Sequence, residues 1–293
     1  MTRKIIILFL TIFFGLIAIL PFSLLKYISR IIYILIYKIF NYRRDVVNLN
    51  LIYALPYVKN DQFHIIEGAF YKHLSELIIE IIKGLYIPLE LLLKRISLTE
   101  ESRMLIARLT QEERHVVLML GHYGNWEWPL LIIQKYTTLK PFALYAPLSF
   151  KAMDGFLKER RERFGATMLD ATKARNLIST LSAQPSIIAI VGDQSPTGRS
   201  RVHETRFLSL DTKFFNGAEK IAQRLNAAVI YVHLEKTAFA QYTVHLEILA
   251  KEAETVQDGM ITEAYVRRLE TKIQERPEFW MWSHKRWKGS IPY

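Results

Sequence analysis

The 293-residue sequence contains no cysteine, so disulfides, Cys-ligated zinc and a cysteine nucleophile are excluded and any reactive group must be an oxygen or a nitrogen. It also lacks G-x-x-x-x-G-K-[ST], H-E-x-x-H and G-x-S-x-G patterns, which argues against a phosphate-binding P-loop, a zincin and an acyl-serine hydrolase. Internal repeats, low-complexity tracts and Gly- or Pro-rich linkers are missing too, so one large domain with appended helices is expected. Acidic residues are in deficit. With 28 Asp and Glu against 39 Lys and Arg, the formal charge is +11, and the surface should attract nucleic acid, anionic lipid or an acidic protein. Nucleic acid is the weakest of these, because no reader motif accompanies the basic surplus. A hydrophobic content of 51% is greasy for a nucleic-acid binder and sparse for a multi-span protein, which favours a monotopic or single-span chain.

What is present begins with an uncharged run from Ile5 to Leu25. As one helix it would reach about 31 Å, close to the hydrocarbon thickness of a bilayer. An uncleaved anchor fits better than a signal peptide, since no small-x-small cleavage site follows. It also fits better than a core helix, since the run has no polar face. Lys26, Arg30, Lys38, Arg43 and Arg44 follow the run and outnumber Arg3 and Lys4 before it, which predicts that the bulk of the protein lies in the cytoplasm. Ile31 to Tyr37 is too short to cross and reads as an interfacial helix, so residues 1–40 are expected to form the membrane part and 41–293 the main folded domain.

From Asn41 to about Arg108 the apolar spacing is helical. At His115 the texture changes. Val116 to Leu120 is a short apolar run ended by Gly121, as expected of a buried strand, and Phe142 to Tyr145, Ile187 to Val191, Val229 to Leu234 and Tyr242 to Leu249 are similar. Helical stretches at Ala152 to Arg163, Lys173 to Ala183 and Asn216 to Leu225 lie between them. This alternation predicts an α/β fold, a mostly parallel central sheet flanked by helices, with its site at the strand ends.

The segment Gly121-His122-Tyr123-Gly124-Asn125-Trp126-Glu127-Trp128 follows the first of these strands. If Gly124 turns the chain tightly and Asn125 caps the next helix, Glu127 can fold back onto His122. A carboxylate on one ring nitrogen would leave the other free to take a proton from an attacking hydroxyl. Taken alone, the spacing also fits a satisfied polar histidine and a carboxylate complementing a helix dipole; the strand end and the flanking glycines and tryptophans favour chemistry. Asp193 and Gln194, before Pro196, could orient a substrate or simply make a turn. Arg199, Arg201 and Arg206 could bind phosphates or acidic groups, or be solvated. Trp280, Trp282 and Trp287, beside Lys285, Arg286 and Lys288, suit either a membrane interface or a core.

Several separated blocks resemble the late acyltransferases of lipid A biosynthesis, within the lysophospholipid acyltransferase superfamily. They are Tyr42 to Leu51, Ala54-Leu55-Pro56, Phe70 to Leu74, Gly121 to Glu127 as an H-x4-[DE] motif, Tyr145-Ala146-Pro147, Arg160 to Gly165 with Met168-Leu169, Val191 to Pro196, and Pro277 to Trp287. The resemblance implies a general base at His122, a charge-relay partner at Glu127, an oxyanion- or phosphate-binding Arg163, and substrate contacts from Asn125, Asp193 and Gln194. Ala146 stands where many members carry a basic residue, a contact Arg163 could replace. The implied donor is an acyl group on acyl carrier protein, the acceptor a hydroxyl of a lipid A precursor, and the place the cytoplasmic side of the inner membrane, with no metal or other cofactor. A related acyltransferase for another lyso-lipid or aminolipid is the nearest alternative, and a basic membrane-tethered binding module is the non-enzymatic one.

Overall fold

The computed structural model describes residues 2–196 and 201–293. Two amino-terminal helices, α1 (Thr2–Ile19) and α2 (Phe22–Tyr33), continue into a π-helical segment, Ile34–Ile39. Then come α3 (Arg44–Ala54), α4 (Asn60–Gly84), α5 (Leu89–Leu93), β1 (Ile96–Leu98) and α6 (Glu100–Gln111). The central part runs β2 (Val116–Leu120), α7 (Trp128–Ile132), β3 (Lys140–Tyr145), α8 (Lys151–Glu162), β4 (Thr167–Asp170), α9 (Ala174–Leu181) and β5 (Ser186–Val191). The chain closes with β6 (Val202–Phe207), β7 (Leu210–Phe215), α10 (Gly217–Arg224), β8 (Ala228–Ala238), β9 (Gln241–Ala250) and α11 (Met260–Glu275).

Every residue of β2 is buried, the outcome expected of an uninterrupted apolar run covered on both faces. It sits at the centre of a seven-stranded sheet of order β1-β9-β8-β2-β5-β3-β4. The five strands from β8 to β4 are parallel, while β9 pairs antiparallel with β8. The expected mixed α/β architecture is therefore present, with an antiparallel edge. Residues 116, 118 and 120 of β2 pack on one face with Trp128 and Ile132 of α7; residues 117 and 119 pack on the other with α11 and the carboxy-terminal tail. This alternation is the two-residue period of a strand with two apolar sides.

The apolar run at the amino terminus is not one helix. α1 stops at Ile19, Pro21 opens α2, and the two arms are bent by 116°. Proline cannot donate a backbone hydrogen bond and disfavours helical geometry in the residue before it, which gives the break its cause. No single helix among the described residues is long and apolar enough to cross a membrane. The tryptophans of the tail are core residues: Trp280, Trp282 and Trp287 are buried, and Phe207, Trp282 and Trp287 each pack edge to face on Trp280. Their alternative placement at a membrane interface is thereby excluded. Arg201 and Arg206 are exposed, and Arg199 lies outside the described residues.

Candidate active site

β2 and β5 are neighbours in register, with Leu120 opposite Val191. Two residues beyond each strand end, His122 and Asp193 therefore come side by side. The Nδ1 of His122 is 2.6 Å from Oδ1 of Asp193, and the His122 backbone N–H donates to Oδ2 at 2.8 Å. Trp280 donates its indole N–H to the same Oδ2 at 2.7 Å. Asp193 is fully buried. Burial pushes its carboxyl upward, but the charge of His122 and these donors outweigh it and hold Asp193 below the usual carboxylate range. Because the folded value is lowered, its contribution to stability is complete above the unfolded carboxylate range, near pH 4, and is lost as the pH falls through the folded value.

An ionised Asp193 can only accept, so Nδ1 of His122 carries a proton, and in the neutral ring Nε2 is the nitrogen with the lone pair. The other side of the ring agrees: the amide nitrogen of Gln194 lies 3.2 Å from Nε2, and an amide N–H can only donate. Trp126 closes the remaining flank, its ring edge to face with the imidazole at 4.7 Å.

Backbone geometry fixes this loop. A Cβ at Gly121 would come within 2.7 Å of the Leu269 side chain and 3.3 Å of the Asp193 carboxylate, so glycine here leaves both of them room. Gly124 has φ +63° and turns the chain, as its place in the sequence suggested. The loop is then zipped to the tail, with Gly124 N–H donating to the Phe279 carbonyl and Met281 N–H to the His122 carbonyl. Asn50 of α3 pins the tail in turn by donating to the carbonyls of Trp282 and His284.

Glu127 does not hold His122. Beyond the turn its carboxylate faces Arg161 of α8 and takes a bidentate pair, Nε at 2.8 Å and Nη2 at 2.5 Å. Burial alone would lower the Arg161 guanidinium, but Glu127 more than offsets that and raises it. The expected His122/Glu127 contact is replaced by two separate pairs, because Asp193 from the next strand already occupies Nδ1.

Two further placements correct the sequence reading. Asn125 is not a helix cap and does not face the site; it is completely buried, and its amide donates to Glu80 of α4 at 3.1 Å. Arg163 does not line the cavity beside His122 but clamps the carbonyls of Gly84 and Ile87 at 2.9 and 2.8 Å, with burial pushing its guanidinium down to about 10. The arginine that does reach the site is Arg161, two residues earlier and so on another side of α8. Asp193, expected near a substrate, instead lies behind the imidazole.

His122, Trp126, Glu127, Arg161 and Gln194 line a cavity of about 420 Å³. Most of its wall is apolar: Leu118 and Leu120 of β2, Ala143 of β3, Ala189 and Val191 of β5, Leu130 and Ile133 near α7, Leu157 of α8, and Met168. Small side chains at 143 and 189, paired in register across β3 and β5, leave this space open between bulkier neighbours. The arrangement can take a proton from a hydroxyl at Nε2 while an aliphatic chain lies beneath, which is the equipment of an acyl-transfer site.

The family comparison agrees with that class. Residues 1–289 match the family described as bacterial lipid A biosynthesis acyltransferase, and the chain belongs to it. A comparison with individually curated proteins gives no match.

Proposed function

We propose that this acyltransferase moves a fatty acyl group from the thioester of acyl carrier protein to a hydroxyl of a lipid A precursor, at the cytoplasmic face of the inner membrane. The observation that carries the reading is the His122 imidazole, backed by Asp193 on Nδ1, with Nε2 meeting only the Gln194 amide beside an apolar cavity. His122 Nε2 removes the proton of the acceptor hydroxyl in the place now taken by Gln194. The oxygen attacks the thioester carbonyl, and the carbonyl oxygen becomes negative as a tetrahedral carbon forms. Arg161 and Gln194, donors that line the cavity, receive that charge. The C–S bond then breaks, and the imidazolium returns its proton to the leaving thiolate. Asp193 keeps the ring in one tautomer and stabilises the imidazolium, while Glu127 fixes Arg161 in the cavity wall. The formal charge of +11 suits an acidic carrier protein, whose docking would be steered electrostatically.

The test is direct. The purified chain is given acyl carrier protein charged with a labelled acyl group and a lipid A precursor bearing free hydroxyls, and the products are read by mass spectrometry. Gain of one acyl mass on the precursor, lost with His122→Ala, is the expected result. Transfer only to another lyso-lipid would move the acceptor assignment, and thioester left intact with every acceptor would end the enzymatic reading.

A further inference from the structure

The two amino-terminal helices are covered on one side and bare on the other. On the covered side of α1, Tyr86 donates its hydroxyl to the Thr11 carbonyl, Phe14 packs against Phe156 of α8 at 6.0 Å, and Ala18 is buried. The carbonyls of Ala18 and Leu20, left without partners where α1 ends, are both taken by the ammonium of Lys83 in α4. On the bare side, Leu8, Phe9, Ile12, Phe13, Leu16 and Ile19 are between 47% and 80% exposed. Their spacing puts them on one face. α2 extends the surface with Leu24, Tyr27 and Ile31, but here exposed Lys26 and Arg30 are interleaved, and the Arg30 guanidinium lies 5.3 Å from the Tyr27 ring.

We propose that this bent surface lies in the plane of one leaflet of an anionic bilayer, with the start of the chain and the catalytic domain on the same side. The proposal rests on the membrane location given above and goes beyond it by replacing a crossing with an in-plane seat. Three observations carry it. α1 spans about 27 Å, short of the roughly 30 Å hydrocarbon layer. If α1 crossed, whatever is packed on it would enter the hydrocarbon. That would include the Lys83 ammonium and the Arg160 guanidinium, 4.7 Å from the Tyr86 ring, and placing cations at that depth is costly. The alternative, peeling α1 away, would strip Ala18, Phe14 and both carbonyls of their partners. An in-plane seat keeps every contact. It buries the bare face of α1 among acyl chains and leaves Lys26 and Arg30 at the level of the lipid phosphates, where long cationic side chains reach with their stems in apolar surroundings.

Because the sequence has no cysteine, single introduced thiols report sidedness without background. Thr2→Cys and Lys251→Cys are each expressed in the full chain, and sealed inside-out membrane vesicles are treated with a membrane-impermeant maleimide. Lys251 is exposed on the catalytic domain, away from the site. Equal labelling of both thiols before detergent is expected. Labelling of Lys251→Cys alone, with Thr2→Cys reacting only after detergent, would overturn the in-plane seat and restore a crossing. Recovery of both variants in the soluble fraction would overturn the membrane location itself, and acyl transfer measured on the same preparations shows whether the enzymatic reading survives. As a second arm, Phe13→Ser/Leu16→Ser is expected to float several-fold less with vesicles containing anionic phospholipid while keeping its far-UV circular dichroism; unchanged flotation would contradict the proposal.

Discussion

Two cavities flank the loop from Gly121 to Trp128, and they differ in everything but size. The one under His122 is about 420 Å³ and walled by aliphatic side chains. The one under Tyr123, the next residue, is about 460 Å³ and lined by His233, His245, Glu235, Glu247, Lys272 and Arg276. Successive side chains of an extended segment point to opposite sides, so one residue of chain separates a reactive imidazole from a phenol locked onto the carbonyls of Lys272 and Arg276. In the polar cavity the titratable groups answer one another. His245 pairs with Glu235 and Lys272 with Glu275, while burial, aided by Lys272 and His245, pushes His233 down to about 4 and keeps it neutral. In the apolar cavity a few polar groups, among them His122, Glu127, Tyr145, Arg161 and Gln194, share the wall with aliphatic side chains. Volume therefore does not locate the chemistry; the contrast between an oily wall and a few donors and acceptors does.

The largest effect separating the two sides should come from His122. His122→Ala is expected to lower acyl transfer by about 10²- to 10⁴-fold, the usual worth of a general base, and to lower the melting temperature too, since it takes a partner from the buried Asp193 carboxylate, while the far-UV circular dichroism of the folded protein is kept. Activity near wild type would break the comparison outright. Filling the apolar cavity comes next. Ala189→Phe is expected to cut transfer of long acyl groups by about tenfold or more relative to short ones, since discrimination in an apolar pocket is worth that much for a poorly fitting chain. Donors of graded chain length check it, and equal losses at all lengths would show that the chain lies elsewhere. Arg163 tests the frame between the loop and α4. Arg163→Ala should cost about 1–3 kcal/mol of stability, seen in denaturant unfolding, with turnover nearly normal at permissive temperature. The smallest effect belongs to the polar cavity, where His245→Ala and Lys272→Ala should change transfer by less than about twofold, as surface substitutions outside a site commonly do.

The sequence made the central sheet legible because its buried strands are uninterrupted apolar runs: Val116 to Leu120 was bounded correctly, and Ile187 to Val191 missed only Ser186. The hairpin of β6 and β7 was not legible. Its strand Val-His-Glu-Thr-Arg-Phe is mostly polar, and its turn uses Leu208 and Ser209 at φ +49° and +66° where glycine or asparagine would have signalled a reversal. The amino-terminal run was misjudged by counting hydrophobic residues across Pro21. At the site, His122 was legible from its place after a strand. Its partner was not, because closeness in sequence pointed to Glu127 whereas strand order, which sequence does not reveal, brings Asp193 alongside. Arg163 was named from the family pattern, and Arg161, two residues earlier and so facing another way, went unnoticed.

The central claim is that Asp193, not Glu127, positions the imidazole. Transfer rates of Asp193→Asn and Glu127→Gln, measured side by side under saturating donor and acceptor, test it most directly. Asp193→Asn is expected to lose about 10²-fold or more, through the wrong tautomer and an unstabilised imidazolium, while Glu127→Gln loses less by loosening Arg161. A Glu127→Gln variant as inactive as His122→Ala beside an Asp193→Asn variant of nearly normal rate would contradict the account.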